Sequence, residues 1–154
     1  DFLIWTGGVM VNPLVQKTLG SKLKCGAMPV NPFLQSDHDR NVFVAGDSAF
    51  YPWSGSPLPM LAQVAYQQAA IVAENLLLLM DGRELKPYQP KPPMVLIPLG
   101  GKCALLNTGK RIFVGRWVWY LKRLVYLRYA LSILPFWKAY RKFHHSTKIF
   151  VEND

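Results

Sequence analysis

The order of apolar and polar positions divides the chain into a first part that mixes strands with helices and a last part that is mainly helical. Residues 2–5 and 41–47 are short apolar runs closed by glycine-containing turns, and each predicts a buried strand. Residues 27–34 alternate like a strand, but their two prolines restrict them to a sheet edge or a loop-rich ribbon. Residues 10–23 predict a short helix or helical turn before Gly20.

Helical periodicity becomes clear after residues 48–57, whose content of Pro, Ser and Gly predicts a loop. Residues 57–80 predict one long helix that Asp81 and Gly82 terminate. Small residues recur at helical spacing along one side of this helix, at Ala62, Ala65, Ala69 and Ala73. Such a stripe lets a helix backbone lie close to a sheet or a flat ligand.

A proline-rich stretch, residues 85–94, predicts an extended linker, and it gives two predicted domains, residues 1–84 and 85–154. Beyond the linker, three short apolar runs separated by glycine-containing turns predict a three-stranded antiparallel meander. Residues 116–146 predict two helices that are broken at Pro135.

Composition and charge narrow the class of protein. With 51% hydrophobic and 13% aromatic residues, the 154-residue chain is rich enough in apolar side chains to fold. Its formal charge of +9 lies entirely in residues 101–154, which hold eleven basic and two acidic side chains. A basic segment of this kind fits an acidic partner, which can be a phospholipid surface, a nucleic acid or an acidic protein.

The cysteines and the chain ends suggest neither a metal site nor a secreted protein. Cys25 and Cys103 are far apart and outside metal-type or redox-type spacing, so the sequence predicts structural thiols and no bound metal. The chain opens in a predicted strand without secretory-signal features, which suggests a fragment. No window reaches the roughly 18 uncharged apolar residues of a spanning helix.

One carboxylate stands at a turn that can bind a ligand. Asp47 follows Gly46 at the end of the predicted strand 41–47, and a helix follows, so the carboxylate lies where open α/β sheets bind ligands. A carboxylate there can accept two hydrogen bonds from a polyol, and unpaired backbone N–H groups near residues 61–64 can stabilise an anionic ring. The alternative is that Asp47 only caps a local turn.

The ordered segments "FLIWTGG", "NVFVAGD", "SAFYPWSGSPLP" and "AQVAYQQAA" carry a family resemblance. They resemble the C-terminal part of the FAD domain in the pyridine-nucleotide disulfide reductase superfamily and, within it, the type II NADH:quinone oxidoreductases. Those are single-subunit, non-proton-pumping flavoproteins of electron transport. The resemblance implies an α/β fold, the end of a Rossmann-like two-dinucleotide-fold domain, followed by the meander and amphipathic basic helices.

The resemblance also implies roles for individual residues. Asp47 would hydrogen-bond the ribityl chain of FAD, and Thr6 with Gly7 would form the crossover back into the FAD domain. Cofactor contacts are implied for Thr6, Gly7, Gly46, Asp47, Leu61, Ala62, Gln63 and Val64. Gln63 and Gln67 lie four apart and face the same way, and they would serve catalysis beside the flavin ring and quinone. The alternative is two exposed glutamines.

Half or more of such an enzyme is expected to be missing. The chain holds no Gly-x-Gly, so the phosphate-binding fingerprints for FAD and NADH would lie in an N-terminal part that is not in this sequence. The resemblance therefore implies that the fragment alone is inactive and that the rest of the enzyme is its partner.

The basic tail predicts a membrane surface as a further partner. In the second tail helix, aromatic side chains face one way and basic side chains the other, which is typical of an interfacial helix. Residues of about 116–148 would hold the enzyme as a peripheral protein on the cytoplasmic face of a membrane. The alternative is that the two helices pack on the protein or on a second copy in a homodimer. No nucleic-acid motif is present, so no nucleic-acid partner is expected.

Two other functions stay open at this point. A sulfide:quinone reductase-like flavoprotein would share the scaffold but needs a cysteine relay, and Cys25 and Cys103 do not form an obvious one. A membrane-binding or interaction module without redox function would have the tail but no upstream dinucleotide-binding units.

Overall fold

A computed structural model describes residues 2–4, 7–19, 26–92 and 94–152. The chain divides into two compact units, Asp1–Lys91 and Pro92–Asp154, each with its own hydrophobic cluster. Both units mix helix and strand, which agrees with the α/β class, while the Rossmann-like assignment and the functional domains 1–84 and 85–154 stay predictions.

Helix α1, Pro13–Leu19, confirms the short helix predicted before Gly20. Asn12 starts it, because its side-chain Oδ1 accepts a hydrogen bond from the Leu14 N–H at 2.9 Å. Pro13 occupies the first helical position, where its missing N–H costs nothing.

The strand predicted over residues 2–5 is wrong for residues 2–4, the part that is described. These residues form no strand, and Phe2, Leu3 and Ile4 are almost fully exposed. A strand that is buried on both faces needs paired neighbours and covering layers. Residues 2–4 pair with none of the described strands, and their exposure shows that no layer covers them.

The strand predicted over residues 41–47 is also wrong as a continuous element. Only Phe43 pairs, in an isolated antiparallel bridge with Gln35, and the chain then enters a 3₁₀ turn at Gly46–Ser48. The segment is extended because a preceding loop holds it: the Val44 N–H donates to the Leu34 carbonyl at 2.9 Å. The apolar run marks burial, as Val44 shows, rather than a strand.

The ribbon expected at residues 27–34 holds one short strand, β1 (Met28–Pro29), which pairs in parallel with β2 (Ala49–Phe50). The predicted loop 48–57 is more regular than expected. It holds β2 and a hairpin of β3 (Pro52–Trp53) and β4 (Ser56–Pro57). The hairpin turns through Ser54 and Gly55, both at positive φ, the geometry that closes tight two-residue hairpins.

Helix α2, Ala62–Met80, begins later than the predicted residue 57 because Pro57 belongs to β4 and the backbone is still extended at Leu61. Its predicted end is confirmed. Gly82 has φ +65°, and the Arg83 N–H donates to the Leu78 carbonyl at 2.8 Å, which closes the last turn. Val64 of α2 joins the core of this unit with Met28, Val30, Leu34, Val44, Leu58 and Tyr88.

The second unit confirms the meander and the two tail helices. Strands β5 (Val95–Gly100), β6 (Cys103–Asn107) and β7 (Ile112–Gly115) form one antiparallel sheet. Helices α3 (Arg116–Ile133) and α4 (Phe136–Glu152) follow, and Pro135 separates them. Alternate residues of β6 face α3, so the core of the unit consists of Ala104, Leu106, Val118 and Trp119.

Candidate functional site

The candidate site is built on the 3₁₀ turn, where Gly46 is required for two physical reasons. Its φ of +69° is a conformation that side chains with a Cβ rarely adopt. A Cβ at this position would also lie 3.2 Å from the Cβ of Ala65 on α2. The turn therefore packs on α2 at Ala65, whereas the other three residues of the alanine stripe, Ala62, Ala69 and Ala73, are exposed.

The Asp47 carboxylate is presented to solvent. The residue is exposed, and within the part of the chain that the structure describes its side chain makes no hydrogen bond or ion pair. The turn is closed by the backbone instead, with the Ala49 N–H donating to the Gly46 carbonyl. Local capping therefore does not explain Asp47, and both carboxylate oxygens are free to accept hydrogen bonds from a ligand.

A cavity of about 260 Å³ lies beside the turn, between β2, the segment after β4 and α2. Its walls are mostly apolar, and they consist of Ala27, Gly46, Ala49, Phe50, Pro57, Leu58, Pro59, Met60, Val64 and Gln68. Apolar walls with few polar groups are typical of small-molecule sites. Gly46 and Val64, two of the predicted cofactor-binding residues, line it.

Gln68 is a site residue that the sequence reasoning missed. Its side chain is 1% exposed, and its Oε1 accepts a hydrogen bond from the Gly46 N–H at 2.7 Å. Helical spacing is the signal that could have found it, because residue 68 is four after Val64 and shares its face of α2.

Gln63 and Gln67 are both partly exposed, and neither lines the cavity. Gln67 has a neighbour in Tyr88, whose hydroxyl donates to Gln67 Oε1 over 3.5 Å. Tyr51 packs edge-on against Tyr88, with 5.4 Å between ring centroids, and donates to the Tyr88 carbonyl. Burial raises the pKa of Tyr88, and Tyr51 raises it further; burial alone raises the pKa of Tyr51.

The other residues predicted to contact the cofactor lie near the start of the chain and at the start of α2. Thr6 lies outside the described residues, and Gly7 is exposed in a segment without secondary structure. Ala62 opens α2, and Leu61 precedes it. The expectation of unpaired amides at residues 61–64 is wrong for Val64, whose N–H donates to the Leu61 carbonyl at 2.9 Å because the helix has already begun.

The second unit presents aromatic and basic side chains on α4. Phe136, Trp137 and Tyr140 are exposed, and so are the basic residues Lys138, Arg141 and Lys142. The helix is not detached, because Ala139 is fully buried and the Arg123 guanidinium of α3 donates to the Phe143 carbonyl at 3.1 Å. Among the described helices none is long and apolar enough to cross a membrane.

Comparison with known proteins finds relatives whose names describe quinone-reducing enzymes. The chain is 32% identical over 128 residues to demethylphylloquinone reductase NdbB from Synechocystis sp., an alignment that covers 82% of the chain and 32% of that protein. It is 26% identical over 141 residues to the type II NADH:quinone oxidoreductase of Staphylococcus aureus strain MSSA476, covering 90% of the chain and 35% of the relative. The same figures hold for the enzyme of strain NCTC 8325. No protein-family model matches the chain.

The chain therefore spans about a third of the length of the curated relatives that it matches.

Proposed function

We propose, because this chain is a homologue of the type II NADH:quinone oxidoreductases, that it is the C-terminal portion of an FAD-dependent enzyme that oxidises NADH and reduces a quinone. The observation in the structure that supports this most is the Asp47 turn, with its exposed carboxylate and its adjacent apolar cavity. Phosphate-binding fingerprints for FAD and NADH are assigned to the remainder of the enzyme.

The residues of the turn fit a flavin dinucleotide. The Asp47 carboxylate, which has no hydrogen-bond partner among the described residues, suits the hydroxyl groups of a ribityl chain, because an anionic acceptor strengthens each hydrogen bond. FAD, when bound, supplies the two-electron chemistry that links a nicotinamide to a quinone. The role of Asp47 is to hold the polyol, while Gly46 lets the turn rest on Ala65 of α2.

Gln63 and Gln67 are proposed to stand on the quinone side. Both are partly exposed and lie one helical turn apart on α2, so an approaching carbonyl can be met by two amide groups. Tyr88 bears on the orientation of Gln67, because a Gln67 oxygen that accepts from the tyrosine leaves the NH₂ group of the same amide to donate outward.

The second unit is proposed to bring the enzyme to a lipid surface. Exposed aromatic and basic side chains on one helix suit the interface between headgroups and acyl chains, and no spanning helix is needed for that. Quinones are apolar, so an enzyme held at this interface meets its substrate where the substrate is dissolved.

The test uses the full-length protein that contains this chain. We expect the purified wild type to retain flavin and to oxidise NADH in a quinone-dependent way. Asp47→Ala should lose flavin, and Gln67→Ala should keep flavin but lose quinone turnover. Glu84→Ala is the matched control, since it removes another exposed carboxylate of the same unit and should change neither property. A wild-type protein without flavin, or an Asp47→Ala protein with normal flavin content, would contradict the proposal.

A further inference from the structure

Asp47 makes no side-chain contact among the described residues, so the direction of its carboxylate depends on the backbone of the turn. The residue before it, Gly46, has φ +69°. Glycine adopts many backbone conformations at little cost, so this residue by itself does not fix the direction of the turn. A glycine next to a binding carboxylate leaves that carboxylate poorly oriented unless another group holds the peptide. The structure provides such a group on α2.

Gln68 fixes the peptide of Gly46 from the helix. Its Oε1 accepts the Gly46 N–H at 2.7 Å, across a separation of 22 residues in the sequence, and its side chain is 1% exposed. A buried amide is costly unless it is hydrogen-bonded, and an apolar side chain would fill the same space at lower cost. Gln68 therefore fixes the orientation of the Gly46 amide, which an apolar side chain of similar size cannot do.

Ala65 holds the same glycine at a second point. The position that a Gly46 Cβ would take lies 3.2 Å from the Ala65 Cβ, so the backbone of the turn rests on the helix. Ala65 and Gln68 are three residues apart on α2 and therefore share one side of it. The turn is fixed by a hydrogen bond at the Gly46 amide and by the close approach of Ala65 to the side of Gly46 that would carry a Cβ.

We propose that Gln68 is a positioning residue, which orients the Asp47 carboxylate toward the ribityl chain of FAD by holding the Gly46 amide. This inference rests on the proposed function, because it takes Asp47 as a flavin contact. It assigns Gln68 no contact with the flavin or the quinone, and it separates Gln68 from its neighbour Gln67 in role.

A double-mutant cycle on the full-length protein tests this by measuring the dissociation constant for FAD, with refolded apoprotein titrated by fluorescence. Gln68→Met removes the acceptor at nearly constant volume and is expected to weaken FAD binding about tenfold. This is the loss typical of one hydrogen bond to a charged group, here a bond from FAD to the misoriented Asp47 carboxylate. In an Asp47→Ala background the same change should alter the dissociation constant less than about twofold, because no carboxylate remains to be oriented.

The matched control is Asn75→Ala, which removes another fully buried amide of α2 whose hydrogen bonds go to residues away from the turn. It should lower the unfolding free energy and leave FAD affinity of the folded protein unchanged. If Gln68→Met does not fold, Gly46→Ala displaces the same turn through its contact with Ala65, and its effect on FAD affinity should likewise become smaller in the Asp47→Ala background.

Three outcomes would overturn the inference. If Gln68→Met binds FAD as the wild type does, the hydrogen bond has no positioning role. If its effect is equally large with and without Asp47, the role of Gln68 is structural only. If Asp47→Ala itself leaves FAD affinity unchanged, the proposed function fails, and the inference fails with it in a recognisably different pattern.

Discussion

Both the backbone conformation and the packing at Gly46 disfavour any residue with a Cβ. Gly46→Ala is expected to lower the unfolding free energy by about 2–4 kcal/mol, from the cost of a Cβ at positive φ and from overpacking against Ala65. Gly82→Ala is the matched control, because Gly82 has φ +65° but nothing within 4 Å of its Cβ position. It should cost only about 1–2 kcal/mol. Urea unfolding measures both, and equal losses would show that contact with Ala65 has no effect.

Tyr88 makes the unfolding free energy decrease as the pH rises into the alkaline range. Burial and the neighbouring Tyr51 raise the pKa of Tyr88 above its ordinary 10.0, so the folded state keeps this proton more tightly than the unfolded chain does. Its stabilising effect is complete below pH 10 and decreases as the pH rises from 10 through the higher pKa of the folded state. Tyr88→Phe should therefore flatten the fall in unfolding free energy above pH 10.

Only the difference between wild type and Tyr88→Phe tests this, because burial lowers the pKa of Lys122 in the second unit. A lysine with a lowered pKa makes the unfolding free energy rise with pH in the same range, which opposes the effect of the tyrosine. Unfolding curves for the two proteins that stay parallel from pH 8 to beyond pH 10 would contradict the role given to Tyr88.

Single residues could be predicted from the sequence when their neighbours in the chain marked them. The sequence singled out Gly46 and Asp47 at the end of a predicted strand and before a helix; the structure has an extended segment and a 3₁₀ turn there, with the Asp47 carboxylate exposed, and the role of Asp47 stays a prediction. Gln68 was not found, because its importance comes from a hydrogen bond to a residue 22 positions away. Adjacent glutamines look alike in a sequence until the partner of each is known.

Helix α2 holds the segment after it through one buried amide. Asn75 accepts from the Lys86 N–H at 2.8 Å and donates to the carbonyls of Lys86 and Phe33. Asn75→Ala should cost roughly 2–4 kcal/mol of unfolding free energy, because buried backbone groups lose their partner. The exposed ion pair of Glu74 with Lys86 serves as the comparison. Glu74→Ala should cost at most about 1 kcal/mol in the same urea experiment, and the reverse order would contradict this assignment.

Helix α4 gives the most direct test of lipid binding. Replacing Lys138, Arg141 and Lys142 by Gln should weaken binding to anionic vesicles about a hundredfold, since each basic side chain near such a surface contributes about 1 kcal/mol. The same replacement at Arg40, Arg83 and Lys91, exposed residues of the first unit, is the matched control. Vesicle co-sedimentation at low and high salt measures both, and equal losses would show that net charge alone decides binding.

Elements with strong local signals were predicted well, and elements that depend on distant pairing were not. The end of α2 at Gly82 and the break at Pro135 follow from residues that act within one turn. The apolar run 41–47 predicted a strand because hydrophobicity reports burial. Strand pairing also needs a partner, and the neighbour here is a loop that bonds to the segment at only a few points.

The whole molecule shows a division of chemistry between the two units. The first unit carries the turn, the cavity and the glutamines, while the net positive charge of the chain lies entirely in the second unit. Apolar side chains of α2 such as Leu77 and Met80 are exposed. We expect the rest of the proposed enzyme to cover them, since the chain spans only about a third of its relatives.

The proposed role of the Asp47 turn is to form part of a flavin site in an enzyme that passes electrons from NADH to a quinone. The most direct measurement is the anaerobic visible spectrum of the full-length protein during successive additions of NADH and quinone. We expect NADH to bleach the flavin absorbance and quinone to restore it, with both changes absent in Asp47→Ala because the flavin is lost. A wild-type spectrum without flavin, or a bleached flavin that quinone does not reoxidise, would contradict that role.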